Sequence, residues 1–236
     1  MKSSKFVSFF LVLVALGLIG IYFYQSNRDG QDADLSDATN IEGDALAGES
    51  IMVPVGSYEV RIDESRVGWY GDKILIPGGD HAGTIAISEG SLTVDESGLI
   101  TDGVVVVDMT AIKLAEGDTG GQQLLDHFAS DDFFSTKTYP TAELAITGSE
   151  EVEGGLMVMG DLTIKDISNP VDFVVTATEG EMGVVRYSGT LVFDRAAYDV
   201  RFGSGRFFDN LGDNVIGDDI ELTFTLVTQA VPSEEA

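Results

Sequence analysis

The chain has 236 residues, of which 40 are acidic and 13 are lysine or arginine, giving a formal net charge of −27. A surface of this charge repels phosphate backbones, which argues against nucleic-acid binding. The chain has no cysteine and only two histidines, so disulfides, a three-histidine zinc site and a closed Cys/His zinc site are all excluded.

The N-terminal segment predicts a membrane anchor. Residues 6–24 are apolar except for Ser8 and two glycines, and Lys2 and Lys5 precede them. At the helical rise these residues span about 28 Å, close to the thickness of a bilayer's hydrocarbon core. We therefore predict a transmembrane helix within residues 1–24 that leaves the rest of the chain on the extracytoplasmic side. The alternative is a signal peptide whose cleavage releases a periplasmic or secreted protein.

The residues after the anchor divide into three regions. Residues 25–56 are mostly Asp, Ser, Ala, Gly, Asn and Glu, and this composition predicts a flexible acidic linker. Residues 57–229 are rich in β-branched and aromatic side chains and predict a single folded domain. Residues 230–236 predict a disordered tail.

The domain carries the pattern of an antiparallel β-structure. Residues 220–226 alternate strictly between apolar and polar, which is typical of a strand with one buried face. Further strands are predicted at 84–87, 91–94, 103–109, 156–164, 171–175 and 191–193. Turns containing glycine are predicted at 89–90, 96–98, 153–155 and 179–180. Eight to ten strands without intervening helices favour an antiparallel barrel or sandwich.

One segment departs from the β pattern. In residues 121–128, Leu124, Leu125 and Phe128 fall on one helical face. Ser130 is predicted to cap a second short turn, and Phe133 and Phe134 follow directly. A helical insertion that presents these aromatic rings is expected to cover one mouth of a barrel.

An ordered series of motifs resembles the YceI-like polyisoprenoid-binding family. The motifs are SRVGW at 65–69, HAG at 81–83, VDM at 107–109, SDDFF at 130–134, YPTA at 139–142, GDLTI at 160–164, NPVDF at 169–173, FDR at 193–195 and YDVRFG at 198–203. The resemblance implies a lipocalin-like antiparallel β-barrel whose apolar tunnel holds an isoprenoid chain. Together with the helical insertion and the anchor, this gives the predicted fold.

Two turns depart from the pattern of the family. Lys165 and Asp166 stand where a glycine commonly follows the GDLTI strand, and Asp199 replaces a glycine after the late arginine. Aspartate tolerates the left-handed backbone region better than most residues, so we expect the Asp199 turn to keep its shape.

Aromatic side chains are the candidates for contact with a tunnel ligand. They are Trp69, Phe128, Phe133, Phe134, Phe173, Phe193 and Phe224. Each of these side chains could instead pack in an ordinary protein core, because core packing and ligand contact give the same sequence pattern. Arg195 is a candidate partner for a ligand head group, as is Arg201, and the alternative is that each pairs with Asp194 or Asp199.

These observations favour a membrane-tethered protein that sequesters or transports an isoprenoid quinone or polyprenyl lipid, as a monomer or a homodimer. It needs no cofactor besides that ligand and is not an enzyme. The alternative is an interaction module whose barrel is filled by its own side chains. A third hypothesis, an enzyme acting on a lipid head group, requires His81 or His127 to meet carboxylates inside a pocket.

Overall fold

The computed structural model describes residues 51–73 and 79–232. Within these residues lie nine strands and one α-helix, and 3₁₀ turns lie at Glu181–Gly183, Arg195–Tyr198 and Gly212–Asn214. The strands are β1 (Gly56–Val60), β2 (Arg66–Gly71), β3 (His81–Val94), β4 (Ile100–Leu114), β5 (Thr141–Val152), β6 (Gly155–Ile164), β7 (Ile167–Glu179), β8 (Val184–Asp194) and β9 (Asp219–Ala230). The helix α1 spans Gly121–Ala129 between β4 and β5.

The nine strands close into a barrel with eight positions. Each strand from β4 to β9 pairs antiparallel with its sequence neighbour, β9 pairs with β2, β2 pairs with β3, and the pairing of β3 with β4 completes the ring. The short strand β1 also lies between β3 and β9, so β1 and β2 share one position. The predicted antiparallel barrel with a short helical insertion is confirmed.

The predicted anchor at 1–24 and most of the predicted linker lie outside the described residues. Among the residues that are described, no helix has both the length and the apolar character needed to cross a bilayer.

A serine bridges the break between β1 and β2. The Ser65 hydroxyl donates to the Arg61 carbonyl oxygen at 2.9 Å and accepts from the Val227 backbone N–H at 2.9 Å. The Ser65 hydroxyl therefore stands in for a backbone carbonyl oxygen of the neighbouring strand where the chain turns. This keeps the buried Val227 N–H group on β9 paired.

The long strand β3 corrects one prediction. Residues 84–87 and 91–94 were predicted as two strands with a turn at Glu89 and Gly90, but they form one strand with a register shift between Ile87 and Glu89. A Cβ atom at Gly90 would lie 2.7 Å from Val60 Cγ2. The glycine thus allows β1 to approach β3, and the segment bends by a bulge rather than a turn.

The two turns that depart from the family pattern adopt left-handed backbone. Asp199 has φ 58°, and Lys165 and Asp166 have φ 54° and 59° between β6 and β7. Lys165 Nζ donates to the Asp199 carbonyl oxygen at 2.8 Å. The turn at Asp199 therefore keeps its shape without glycine, as expected, and Lys165 links the two turns.

The end of the barrel opposite α1 is closed by the segment before β1. The Ile51 N–H donates to the Ala177 carbonyl oxygen near the end of β7, at 2.9 Å, and Val53 is 2% exposed. The Tyr58 hydroxyl donates to the Pro54 carbonyl oxygen at 2.7 Å. The folded domain thus begins before residue 57, because Val53, within the predicted linker, packs into the core. We call this closed end the base and the α1 end the mouth.

Candidate functional site

A cavity of about 710 Å³ occupies the interior of the barrel. Strands β2 to β9 all contribute side chains to its wall, and α1 contributes to the wall at the mouth. In β9 the contributing residues are Ile220, Leu222, Phe224 and Leu226, which follow the period of two expected of one strand face. Because most wall residues are aliphatic or aromatic, the cavity suits an apolar chain with few hydrogen-bonding atoms.

Charged side chains on the wall gather at the mouth. Asp72 and Lys73 follow β2, His81 begins β3, Asp126 belongs to α1, and Glu143 lies near the start of β5. Below this level the wall is apolar except for one tyrosine hydroxyl near the base. A ligand with a polar head and an apolar tail therefore fits with its head at the mouth, where water compensates its polar atoms.

An aromatic cluster covers the mouth. The ring of Phe128 lies 5.3 Å from that of Trp69 and 5.1 Å from that of Phe133, and Phe133 lies 4.8 Å from Phe134. These separations fall within the range of favourable edge-to-face and tilted aromatic pairs. The predicted position of the helical insertion at one mouth is confirmed.

Local hydrogen bonds hold this cluster on the helix. The Ser130 hydroxyl donates to the His127 carbonyl oxygen at 2.7 Å, so it caps the C-terminal end of α1 rather than the short turn that, as predicted, begins at this residue. The Phe134 N–H donates to the Phe128 carbonyl oxygen at 3.1 Å. The two bonds fold the SDDFF segment back against the last turn of the helix.

A second aromatic pair crosses the interior below the mouth. The rings of Phe173 on β7 and Phe224 on β9 are 5.6 Å apart and nearly perpendicular. Between them on β8 lies Gly189, where a Cβ atom would lie 3.1 Å from Phe224 Cζ. Gly189 thus lets two rings on non-adjacent strands meet inside the barrel.

Tyr187 on β8 is an isolated polar group near the base. Its side chain is 2% exposed and lines the cavity, and its hydroxyl has no hydrogen-bond partner within residues 51–73 and 79–232. Burial, with a smaller contribution from Tyr58, raises the pKa of Tyr187. The hydroxyl therefore stays protonated and is an unused hydrogen-bonding group in an apolar cavity.

Arg195 is buried behind the mouth and organises the chain around it. Its guanidinium donates to the carbonyl oxygens of Gly217 at 2.8 Å, Phe202 at 2.9 Å and Val200 at 3.1 Å. It lies 5.5 Å from the centre of the Phe133 ring. Burial lowers its pKa, while Asp218 and then Asp194 oppose that shift. Arg195 therefore ties the loop after β8 to the aromatic cluster.

The structure places the predicted residues in two groups. All seven aromatic candidates lie on the cavity wall: Trp69, Phe128, Phe133, Phe134, Phe173, Phe193 and Phe224. Arg195 does not line the wall, and its nearest carboxylate is Asp218, at 3.3 Å, rather than the predicted Asp194 or Asp199. Arg201 pairs with Asp199, which was one of its two predicted partners. Contact of any of these residues with a ligand stays a prediction.

Sequence reasoning missed Tyr187 and Phe202, which also line the cavity. A signal for Tyr187 existed, since the period of two that contains Leu191 and Phe193 extends back to it along β8. Phe202 follows a left-handed turn in a loop, where no periodicity applies.

His81 does meet a carboxylate at the mouth. Its Nδ1 lies 3.0 Å from Asp118 Oδ1, and Asp118 also accepts from the backbone N–H groups of Gly120 and Ala82. The carboxylate thus fixes the loop before α1. The described part of the wall contains no serine, threonine or cysteine that such a pair would activate as a nucleophile.

Comparisons with known proteins agree with this architecture. A family model for the YceI-like domain matches residues 58–228. A UPF0312 protein of Photorhabdus laumondii is 34% identical over 89 residues, a match that covers 38% of this chain and 44% of that relative. The chain thus spans less than half the length of this curated relative.

Two solved structures share the fold. Burkholderia cenocepacia BcnA aligns with a TM-score of 0.57 and 24% identity, over 71% of this chain and 98% of that one. A polyisoprenoid-binding domain of Saccharophagus degradans, described as implicated in plant cell wall breakdown, aligns with a TM-score of 0.56 and 15% identity, over 74% and 98% of the two chains. Because the family model matches across the barrel, the chain belongs to the YceI-like domain family.

Proposed function

We propose that the chain is a non-enzymatic lipid-binding protein that holds an isoprenoid quinone or polyprenyl lipid in its barrel. The observation that carries the proposal is the apolar cavity of about 710 Å³, whose charged residues lie at the mouth. An isoprenoid tail has no hydrogen-bonding atoms, and each buried methylene-sized group contributes about 0.8 kcal/mol. The ligand named for the Saccharophagus degradans relative supports the same class of lipid.

The size of the cavity weighs against the alternative function. An interaction module with a self-filled barrel would pack its inward side chains to the density of a protein interior, leaving few voids larger than a water molecule. A dry cavity of this size has no structural benefit without a ligand, because its wall loses dispersion contacts.

The proposal includes a membrane tether that keeps the barrel outside the cytoplasm. Its support is the apolar run at 6–24, preceded by Lys2 and Lys5. N-terminal sequencing of the mature protein tests this part: an intact N-terminus in the membrane fraction is expected, and a mature chain that begins near Gln25 would contradict it.

Native mass spectrometry of the full chain after mild detergent extraction tests the lipid ligand. We expect an added mass that fragments into an isoprenoid species and that returns when the delipidated protein is mixed with a prenylated quinone. A protein that neither carries nor accepts any isoprenoid would refute the proposal.

A further inference from the structure

Two rings at the mouth carry buried nitrogen atoms without partners. Trp69 Nε1 and His127 Nε2 are both inaccessible to solvent, and neither has a hydrogen-bond partner in the described part of the chain. Both residues line the cavity. An indole N–H can only donate a hydrogen bond, and a neutral imidazole donates from one of its two nitrogens. The mouth therefore offers hydrogen-bond donors that a ligand acceptor would satisfy.

Aromatic packing fixes the positions of these two rings. The Trp69 and Phe128 rings lie nearly perpendicular with centres 5.3 Å apart, and the His127 ring lies 4.3 Å from Phe202 and 5.6 Å from Phe133. A Cβ atom at Gly83 would lie 2.8 Å from Trp69 Nε1, so the indole rests directly on β3. Because both rings are held by neighbours, their nitrogens are preorganised for a ligand.

The charges at the same level disfavour an anionic ligand. Asp72, Asp126 and Glu143 line the cavity at the mouth end, and Lys73 is the single lysine or arginine among the described wall residues. The Arg195 guanidinium is engaged by backbone carbonyl oxygens and by Asp218. A phosphate or diphosphate head would thus meet three carboxylates and one ammonium group.

We propose that the mouth selects an uncharged head group whose oxygen accepts a hydrogen bond from Trp69 Nε1, and that it discriminates against phosphorylated polyprenyl lipids. A quinone carbonyl or an alcohol oxygen meets this requirement. The inference rests on the proposed function and specifies the ligand class of the same cavity. His127 is the second donor, in the tautomer that carries its proton on Nε2.

Lipids that share one twenty-carbon isoprenoid skeleton and differ in the head test the inference. The probes are a menaquinone with a geranylgeranyl tail, geranylgeraniol, geranylgeranyl diphosphate, and phytane as a hydrocarbon without a head. Binding to the delipidated full chain is measured by native mass spectrometry and by emission of Trp69, the single tryptophan of the chain. We expect the quinone and the alcohol to bind at least about tenfold more tightly than the diphosphate, a difference of about 1.4 kcal/mol.

Two variants separate the roles of the donor and of the charge. Trp69→Phe is expected to weaken quinone binding about fivefold to tenfold and to leave phytane unchanged. Asp126→Asn is expected to strengthen diphosphate binding about threefold at low salt without changing quinone binding. Asp172→Asn, on the outer face of β7, is the matched control and should change neither.

Two results would overturn the inference while leaving the proposed function intact. One is a diphosphate that binds as tightly as the quinone. The other is a Trp69→Phe variant that loses phytane and quinone equally, since the indole would then act by shape alone. If none of the four probes binds, the proposed function fails and the inference fails with it.

Discussion

Replacing Tyr187 by phenylalanine tests whether the base of the cavity holds an unpaired hydroxyl. Tyr187 is 2% exposed, and no group in the described chain pairs with its oxygen. A buried polar group without a partner costs about 1–3 kcal/mol. Tyr187→Phe should therefore stabilise the ligand-free protein, whereas most buried substitutions destabilise.

The size of the effect follows from the size of the domain. A gain of about 1–2 kcal/mol in the free energy of unfolding raises the Tm of a domain of this length by about 2–8 °C. Differential scanning calorimetry of the delipidated protein measures it directly. A bound lipid would add its own stabilisation, so removal of lipid has to be verified by mass spectrometry.

Tyr58→Phe is the matched control. Tyr58 is also 2% exposed, but its hydroxyl donates to the Pro54 carbonyl oxygen at 2.7 Å. The same chemical change should lower the Tm there, because it leaves a carbonyl oxygen near the base without its partner. If Tyr187→Phe also lowers the Tm, the hydroxyl has a partner such as a buried water, and the reasoning about the base is wrong.

Three further predictions concern the cavity, the loop behind the mouth and alkaline stability. Val158→Trp, on the wall of β6, should lower the affinity for a long isoprenoid by about tenfold or more in native mass spectrometry, because the indole occupies the volume that the tail needs. Arg195→Lys should lower the free energy of unfolding, measured in urea, by about 2–4 kcal/mol, because a single ammonium group cannot reach the same set of carbonyl oxygens. Burial raises the pKa of Tyr58, Tyr187 and Tyr198, so the folded state keeps protons that the unfolded state releases above about pH 10. Stability should therefore fall as the pH rises past that value, by about 1.4 kcal/mol per pH unit for each tyrosine that stays protonated. Urea midpoints should show a shallower fall for Tyr187→Phe than for the natural protein.

Matched controls exist for the first two of these variants. Met159→Trp lies next to Val158 on the outward face of β6, and it should leave lipid binding unchanged. Arg206→Lys changes an exposed arginine paired with Asp194, and it should cost less than about 1 kcal/mol. Equal effects in either pair of variants would refute the role assigned to Val158 or to Arg195.

The sequence by itself determined the class of fold and several of its elements. Strict alternation at 220–226 predicts β9, and the apolar face that contains Leu124 and Phe128 predicts α1, because both patterns are local consequences of backbone geometry. The order of the short motifs along the chain was sufficient for the family, which the match over residues 58–228 shows.

Only the tertiary structure decided whether the barrel is filled or hollow. An inward side chain such as Phe224 or Leu226 follows the same period of two whether it packs against another side chain or faces a void. The void depends on how eight strand positions close, through the pairing of β3 with β4, and no single strand encodes that closure. The sequence also left the role of Arg195 open. Its carbonyl partners come together only when the loop that contains Val200 and Gly217 folds around the guanidinium.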